Sequence, residues 1–427
     1  MFSVVHLFWN AIFFALITSS VTGCQVNNPP AAETPAIKDI QWIVPGPGLP
    51  AEIKPQESNN CLAIHLYHDR LYMAFRSAPT HFASTKPVLY VMSSPDLGKT
   101  WTYENHVSLQ TDIREPSFLV MNDQLILNYV ELGSNPLTFT PKKVWQMIKT
   151  QASGWAAPQV APDLPLEIMP WEVKERGGIA YMSSYMGSHY STSNDSKIDV
   201  YFKKSLDGIH WQDVNPDHPV MYEGGVSEVG YEFDAAGNLF AVTRNEDGDA
   251  SGFGSHVAFG NADSIGTWDF PAKSSPYRYD SPHMFRHGND IYLIARRSIK
   301  YLDPIDDTAF VTWPYDNNIN TAISIGIRRI ANLTDYSLLP KRTALYKIDQ
   351  KLRTVVWQKD LPSAGDTSFP SIVQLTADRF LIANYSNPII NNDLIDTIRW
   401  PWIRGQLSQN HGTQIYLATL DFPKEDN

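Results

Sequence analysis

The chain has 427 residues, of which 43% are hydrophobic and 19% charged, a balance that excludes a disordered polymer. Its 30 prolines and 24 glycines, with few helix-forming residues at helical spacing, argue against a helical bundle and predict many short strands joined by turns. The formal net charge of −11 excludes the basic surface that nucleic-acid binding needs, and two cysteines exclude a disulfide framework or a cysteine-ligated zinc site.

The first 23 residues are predicted to be a signal peptide. Residues 2–23 form an apolar stretch interrupted by Asn10, too short and too close to the N-terminus for a membrane span. Residues 21–24 (Val-Thr-Gly-Cys) resemble the lipobox of bacterial lipoproteins, in which the cysteine, here Cys24, is lipidated. The alternative is a chance cysteine after an ordinary export signal. We expect residues 24–39 to be a lipidated cysteine and flexible tether, and the protein to be a membrane-anchored lipoprotein of the bacterial cell envelope, on the outer membrane or facing the periplasm.

From residue 40 onward the chain repeats an apolar strand, a polar turn and a second apolar strand. The six predicted hairpins span residues 61–75, 116–129, 170–185, 231–243, 282–295 and 370–385. After each of the first five comes a third strand that ends in a tryptophan, at Trp101, Trp155, Trp211, Trp268 and Trp357. An insertion around residues 301–330 lengthens the last interval.

Two of the segments that end in tryptophan resemble Asp boxes. In such a turn an aspartate accepts hydrogen bonds from turn amides, a glycine permits positive φ, and the tryptophan fills the seam beneath. We expect these residues to be structural and to lie on the outer rim of the fold. They are Ser94, Asp96, Gly98 and Trp101 in one turn and Ser205, Asp207, Gly208 and Trp211 in the other.

The repeat predicts the whole architecture. The first four tryptophans recur at intervals of 54, 56 and 57 residues, a length typical of a four-stranded sheet that cannot bury both of its faces alone. We therefore predict an all-β, six-bladed β-propeller of four-stranded antiparallel blades over residues 40–427. The third strand of the sixth unit is expected at 413–420, and residues 40–44 are expected to supply its outer strand and close the ring.

Candidate functional residues follow from this architecture. In a propeller the inner strands line a central channel, so residues just before the first strand and just after the second strand of each hairpin converge on one mouth. The positions before the first strands hold Asn59, Asn60, Arg114, Glu115, Glu172, Glu228, Asp280, His283 and Asp366. The positions after the second strands hold Arg76, Glu131, Tyr185, Arg244, Arg296, Arg297 and Tyr385. Such a ring suits glycoside chemistry on an anionic sugar, unless each arginine simply neutralises a neighbouring carboxylate.

The chain resembles the sialidase superfamily over about residues 56–420. The most specific match is residues 228–244, where Glu228 precedes Arg244 by 16 residues across a strand and a turn. The resemblance implies that Glu228 pairs with a nucleophile and that Arg244 belongs to a triad of arginines that binds a carboxylate. Residues 365–372 resemble the segment that bears the sialidase tyrosine nucleophile, and Arg342 resembles another arginine of the triad.

Three positions depart from the sialidase pattern. Phe369 stands where the nucleophilic tyrosine would be, and a phenyl ring has no oxygen with which to form a glycosyl-enzyme bond. Asn59 stands where the first triad arginine is expected, and Phe82, with His81 beside it, stands where the acid/base aspartate is expected. Cleavage of sialic acid by the usual route is therefore not expected.

The predicted function is a glycoside hydrolase that acts on a glycan with an anionic or uncommon sugar. The expected catalytic residues are Glu228, Asp366, Glu115, His81 and Tyr385, and the expected substrate-binding residues are Arg244, Arg114, Arg76, Arg342 and Arg297. Two alternatives stay open: a lipid-anchored propeller that binds glycans without catalysis, and a polysaccharide lyase that uses His81 and Tyr385.

The expected partners are few. A glycan is the expected ligand, the membrane is expected to be contacted only through the lipid on Cys24, and the chain is expected to be a monomer without nucleic-acid partners. No cofactor or metal is expected. The acidic loop at residues 246–249 could bind calcium, but it lacks the ligand spacing of an EF-hand, which favours a solvated loop.

Overall fold

The computed structural model describes residues 34–298, 324–338, 341–389 and 408–423. These residues form six antiparallel sheets arranged as the blades of a propeller, as the sequence predicts. The inner strands are β2 (Ser58–Tyr67), β6 (Asp112–Met121), β10 (Met169–Arg176), β15 (Val229–Phe233), β19 (Asp280–His287) and β23 (Thr367–Thr376). The second strands are β3 (Arg70–Ala78), β7 (Gln124–Leu132), β11 (Ile179–Gly187), β16 (Leu239–Thr243), β20 (Asp290–Ser298) and β24 (Arg379–Ser386).

The outer half of each blade is less regular. The third strands are β4 (Val88–Ser94), β8 (Pro141–Thr150), β12 (Ile198–Ser205), β17 (Val257–Gly260), β21 (Lys341–Asp349) and β25 (Gln414–Asp421). The outermost strands are β5 (Thr102–Val107), β9 (Gln159–Val160), β13 (Gln212–Asp213), β18 (Trp268–Asp269), β22 (Thr354–Asp360) and β1 (Ala36–Val44). An additional strand, β14 (Val220–Gly224), also pairs with β12. Blades are numbered 1 to 6 in the chain order of their inner strands.

The ring closes through the N-terminal strand. Strand β1 pairs antiparallel with β25, so that Ile37 faces Leu420 and Trp42 faces Tyr416. Blade 6 therefore takes its outermost strand from the start of the described chain and its other three from the end. The strand predicted at residues 40–44 is confirmed, and it begins earlier, at Ala36.

The inner strands begin before the prolines that were predicted to start them. Pro116, Pro170, Pro282 and Pro370 each lie inside the strand, at an interruption of the pairing register. Proline has no N–H to give to a ladder, and a bulge is one of the few positions inside a sheet that tolerates it. The first strands therefore extend by one to four residues beyond the predicted bounds, toward the channel mouth.

These bulges place ordinary residues in a strained backbone conformation. The residue before the proline has a left-handed φ in three blades, at Glu115 (51°), Ser281 (52°) and Phe369 (52°). Cys61 occupies the matching bulge of blade 1 with a φ of 42°. Strained backbone of this kind persists where the surrounding structure holds it, and it is often found at functional sites. The four residues form a strained ring around the channel.

Four of the five tryptophans lie directly before the outermost strands, at their start or within them, rather than at the end of the third strands; Trp155 lies four residues before β9. Trp211 directly precedes β13, and Trp268 begins β18. The residues between the end of the third strand and the tryptophan form a turn, so the tryptophan comes after the chain has reversed direction. In the turn before Trp211, Ser205 Oγ accepts from Gly208 N (2.8 Å) and Asp207 Oδ1 accepts from His210 N (2.8 Å).

Packing between blades explains the glycine in that turn. Gly208 has a φ of 76°, and a Cβ added there would lie 2.6 Å from Cδ1 of Ile126 in blade 2. Trp211 is buried in the same apolar cluster, which fills the interface between blades 2 and 3. Each blade thus covers a face of its neighbour, as the repeat length requires.

Within the described ranges, one α-helix interrupts the all-β pattern. Helix α1 (Ile325–Leu338) lies in the connection between β20 and β21, overlapping the predicted insertion. Arg329 anchors it by donating to the carbonyl oxygens of Ser193 (2.5 Å) and Asp247 (2.9 Å), in the connections of blades 3 and 4. No described helix is long and apolar enough to cross a membrane.

Candidate functional site

The mouth is the end of the channel at which the six inner strands begin. Most of the side chains predicted to meet there do so, and two connected groups of them cover the mouth. One group joins blades 1, 2 and 6, and the other joins blades 4 and 5 with helix α1. The opposite end of the channel, where the inner strands turn back, is called the turn face.

A histidine and an aspartate from different blades pair at the mouth. His81 Nδ1 lies 2.8 Å from Asp366 Oδ2, and the hydroxyl of Tyr385 donates to Asp366 Oδ1 (3.1 Å). Burial lowers the pKa of His81, with the Asp366 carboxylate opposing the effect. The carboxylate places the proton on Nδ1, which leaves Nε2 to accept one. Tyr385 is fully buried, so it contacts Asp366 and not the open channel.

Two predicted arginines share one aspartate beside this pair. Arg76 donates to Asp112 Oδ1 through Nη2 (2.8 Å), and Arg114 donates to Asp112 Oδ2 through Nε (2.6 Å). Arg76 is completely buried and also donates to Asn60 Oδ1 and two backbone carbonyls. Arg114 is partly exposed and donates to the carbonyl of His81 (2.6 Å). Arg76 is therefore saturated, whereas Arg114 faces the mouth.

Glu115 belongs to the strained ring and is the only carboxylate in it. Burial raises the pKa of its carboxyl to about 8, and the nearby Glu228 carboxylate adds to the effect. The structure gives the side chain of Glu115 no hydrogen-bond partner among the described residues. At neutral pH it is therefore a protonated acid that borders the channel.

Glu228 and Arg244 pair with each other, as their spacing suggested. Arg244 Nη1 lies 2.5 Å from Glu228 Oε1, and Glu228 Oε2 accepts from the amide of Ser281 (3.0 Å). Arg244 Nη2 also contacts Glu246 (2.5 Å), and its Nε lies 3.6 Å from Asp280. Both oxygens of Glu228 are thus engaged by protein groups. Arg244 bridges three carboxylates.

Arg296 differs from every other arginine of the mouth. It is 4% exposed, and no described carboxylate lies within 4.0 Å of it. Its Nη groups reach only Ser281 Oγ (3.2 Å) and the carbonyl of Thr367 (3.4 Å), and its Nε has no partner. Its guanidinium lies 5.9 Å from the ring centroid of Phe369. A buried guanidinium without a counter-ion is costly, since burial of charge is normally compensated by pairing.

Helix α1 adds an aromatic residue to this region. The ring centroid of Tyr336 lies 5.6 Å from the guanidinium of Arg296 and 5.8 Å from that of Arg244. The hydroxyl of Tyr336 is buried without a hydrogen-bond partner in the described chain, as is Ser368 Oγ on the next blade. Unsatisfied polar atoms are uncommon in protein interiors, and here three of them, counting Arg296 Nε, accompany an unpaired positive charge.

Two predicted arginines do not reach the mouth cluster. Arg297 lies on the other side of β20 from Arg296 and makes a bidentate pair with Asp360, with Nε at 2.9 Å from Oδ1. Arg342 donates to the carbonyl of Ser363 (2.7 Å) and lines a surface pocket between β1 and blade 5. Neighbours on a strand point to opposite faces, which separates Arg296 from Arg297.

Trp171 closes the floor of the mouth. The side chain of Trp171, in blade 3, reaches blade 5, where its Nε1 donates to the carbonyl of Pro282 (2.8 Å). Its ring packs edge to face against Phe369, with ring centroids 5.3 Å apart. Beneath lies a cavity of about 750 Å³ that extends toward the turn face. Glu115 borders this cavity, but His81, Asp366, Glu228 and Arg244 do not. This cavity is therefore separate from most of the charged cluster.

The acidic loop at residues 246–249 directs its carboxylates to different partners. Glu246 contacts Arg244, Asp247 contacts His189, and Asp249 accepts from the hydroxyl of Tyr222 (2.8 Å). Among the residues that the structure describes, no group of three or more His, Cys, Asp or Glu side chains is placed to hold a metal ion.

Sequence reasoning placed Arg296 at the mouth but did not count it among the substrate-binding residues, and it missed Tyr336 altogether. Arg296 stood beside Arg297 at the end of a strand whose two faces are both buried, so alternation could not indicate which arginine faces the channel. Tyr336 lies in an insertion that carries no repeat pattern. Glu115 was predicted from its position directly before Pro116, and the recurrence of a proline at the same point of successive blades is what marks that position.

Comparison with known proteins identifies the fold but no close relative. The structure resembles a protein of unknown function from Dyadobacter fermentans, with a TM-score of 0.55, 14% identity, and coverage of 87% of this chain and 97% of that one. It also resembles Trypanosoma rangeli sialidase in complex with the inhibitor DANA, with a TM-score of 0.53, 11% identity, and coverage of 85% of this chain and 55% of that one. No protein-family model and no curated protein matches the sequence. The fold is thus that of a sialidase-like six-bladed propeller.

Proposed function

We propose that this propeller is a glycoside hydrolase that acts on glycans with an anionic sugar. Glu115 serves as the general acid, His81 as the base that activates water, and Arg296 binds the anionic group. Asp366 holds His81 in place. This assignment keeps the function that the sequence predicts, but it gives the binding of the anion to Arg296 instead of to Arg244 and the other predicted arginines.

The unpaired guanidinium of Arg296 is the observation that carries the proposal. The other mouth arginines are compensated by Asp112, Glu228, Glu246 or Asp280, whereas in the described part of the chain Arg296 has hydroxyl and carbonyl partners only. A ligand carboxylate or sulfate at this point would supply the missing counter-ion and accept from the orphaned Nε. Bidentate binding of planar anions is the interaction for which arginine is best suited.

The surroundings of Glu115 and His81 shift their pKa values in opposite directions. Burial raises the pKa of Glu115 to about 8, so it carries a proton at neutral pH, while burial lowers the pKa of His81, so its Nε2 is free. Both residues adjoin Arg114, which precedes Glu115 in β6 and donates to the carbonyl of His81. A pair of groups held in opposite protonation states is what hydrolysis of a glycosidic bond requires.

Attack by activated water fits the residues better than a covalent route. Phe369 offers no nucleophilic oxygen, and both oxygens of Glu228 are held by Arg244 and the Ser281 amide. Glu228 is therefore assigned to fixing Arg244 in place. In the proposed step His81 takes a proton from water as its oxygen bonds to the anomeric carbon, and Glu115 gives its proton to the departing oxygen.

The test is a screen of the purified protein against acidic oligosaccharides, with products identified by mass spectrometry. A saturated product with one water added supports the hydrolase. An unsaturated product would replace it with a lyase, and retention of a glycan without turnover would replace it with a binding protein. Robust cleavage of a sialoside that survives removal of His81 and Glu115 would contradict the assigned roles.

Arg296→Gln and Arg297→Gln form a matched pair for the anion site. The first should lower kcat/KM by about tenfold to hundredfold, because one charge-assisted contact is lost, and should leave or raise thermal stability. The second should lower stability, because Asp360 loses its partner, and should leave kcat/KM unchanged. Equal kinetic effects in the two variants would remove Arg296 from the anion site.

The cellular location is a further part of the proposal. The chain is proposed to be exported and held at the bacterial cell envelope by a lipid on Cys24, a residue outside those that the structure describes. Cys24→Ser should release the protein from the membrane fraction. A wild-type protein that is already in soluble fractions, with its mature N-terminus beyond residue 24, would contradict the anchor.

A further inference from the structure

An exposed aromatic residue stands beside the charged cluster of the mouth. Tyr190 lies in the connection between β11 and β12 of blade 3, and 41% of it is exposed. Its hydroxyl approaches the charged cluster, 3.5 Å from Nη2 of Arg244. The ring is therefore open to solvent while its polar end is directed to the buried charges.

The backbone at Tyr190 is strained and held by specific contacts. Its φ is 63°, a left-handed value that is uncommon for a bulky residue. Its amide donates to Asp247 Oδ2 (2.8 Å), and His189 Nδ1 lies 3.2 Å from the same carboxylate. One aspartate of blade 4 thus fixes both residues of this pair.

One face of the Tyr190 ring is covered and supported. The ring stacks on His189 with centroids 3.7 Å apart and an interplanar angle of 23°. His189 in turn meets Phe139 edge to face at 5.2 Å and Tyr185 at 5.8 Å. Support of this kind lowers the conformational entropy that the ring would lose on binding a ligand.

We propose that Tyr190 is a stacking platform for the uncharged face of a pyranose ring. The sugar that it receives is the neighbour of the anionic sugar bound at Arg296. This inference rests on the proposed function, since it assigns the ligand of an adjoining position in the same site. An exposed, rigid aromatic side chain that shares its surroundings with polar groups is suited to ligands with an apolar face and hydroxyl edges.

The experiment compares binding of acidic monosaccharides and of disaccharides that carry the same acidic sugar, by isothermal titration calorimetry. Uronic acids and N-acetylneuraminic acid, free or joined to a neutral hexose, are the probes. The wild type should bind a disaccharide about tenfold more tightly than its acidic monosaccharide, a difference of about 1.4 kcal/mol that one stacked ring can supply.

Tyr190→Gly should lose this advantage while keeping the affinity for the monosaccharide. Glycine suits the left-handed φ, so the variant is expected to fold at least as well as the wild type. Tyr190→Phe should keep most of the advantage, because the ring remains. Tyr103→Ala is the control, since Tyr103 lies on the outermost strand β5 and should affect neither ligand.

The outcomes separate the two proposals. If the wild type binds none of the acidic sugars, the proposed function is overturned and this inference with it. If the wild type prefers a disaccharide and Tyr190→Gly keeps that preference, only the platform is overturned. A Tyr190→Gly variant that loses monosaccharide and disaccharide equally would assign Tyr190 a structural role and also overturn the platform.

Discussion

Charged side chains are concentrated at the mouth of the channel and at the rim, the ring of turns that follow the third strands at the turn face. The two regions differ in how far apart in the sequence the hydrogen-bonding partners lie. At the rim, Asp96 accepts from the amide and hydroxyl of Thr100, four residues away. At the mouth, His81 pairs with Asp366 across 285 residues. The rim is thus completed within one turn, whereas the mouth depends on closure of the whole ring.

The difference indicates what each region is for. A charged side chain whose hydrogen bonds are all made within its own turn stabilises that turn and needs no ligand as a partner. The mouth instead joins groups from five blades and still leaves Arg296 without a counter-ion among the residues that the structure describes. Strained residues and buried charges that packing does not require are typical of sites that bind or react.

The largest effect on stability is expected at the rim. Trp211→Ala removes a buried indole between blades 2 and 3, and truncation of a buried tryptophan costs roughly 3–5 kcal/mol. Thermal unfolding should report the loss, while kcat/KM should match the wild type at temperatures at which the variant stays folded. Loss of activity in a fully folded variant would break the division between rim and mouth.

A large effect on turnover is expected from the His81–Asp366 pair. Asp366→Asn removes the carboxylate that orients His81, and should lower kcat by about a hundredfold, the usual scale of general base catalysis. Adding His81→Ala to it should cost little more, because the two residues act as a unit.

The turn face offers a matched control for that pair. His287 Nε2 lies 3.0 Å from Asp378 Oδ1, so it forms a histidine–aspartate contact of similar length away from the mouth. Asp378→Asn should therefore leave kcat unchanged. Equal losses in Asp366→Asn and Asp378→Asn would mean that the mouth pair has only a structural role.

Much of the fold could be predicted because the repeat is local. Alternating apolar strands, short polar turns and spaced tryptophans each report on contacts within one blade, and six copies determine the ring. The closing strand could be predicted by counting, since blade 6 lacked a fourth strand near the C-terminus. The strand bounds at the bulges differed, because Pro116, Pro282 and Pro370 lie inside strands and not at their ends. The tryptophans also lie nearer to the outermost strands than predicted.

The site could be predicted only in outline. Counting positions brought His81, Asp366 and Tyr385 to the same end of the channel, but nothing local indicated that they touch. The choice between Arg296 and Arg297 depends on the direction in which the last residues of β20 point, and both faces of that strand are apolar. Tyr336 comes from an insertion outside the repeat. Such contacts depend on the three-dimensional arrangement of separate segments.

The smallest predicted effect concerns the stability of the fold against pH, and it tests Glu115. Its carboxyl has an ordinary pKa of 4.5 and a folded pKa of about 8. Between these values the unfolded chain has lost a proton that the folded chain keeps, so raising the pH from 5 to 8 should destabilise the fold. The effect should be of the order of 1–2 kcal/mol, because the side chain is only partly shielded from solvent. Glu115→Gln should remove it.

His81 also contributes to the pH dependence of stability, with the opposite sign because its pKa is lowered. Since the wild type and Glu115→Gln both contain His81, the difference between them reports Glu115 alone. The measurement is chemical unfolding at pH 5 and pH 8. Glu131→Gln is the control, because contacts with Trp145 and Lys142 overcome burial and lower the pKa of Glu131, which leaves it ionised in both states across this range. If Glu115→Gln and the wild type lose the same stability between the two pH values, Glu115 is ionised in the folded protein. It then cannot be the proton donor at neutral pH, and the mouth would lose its acid while keeping its base.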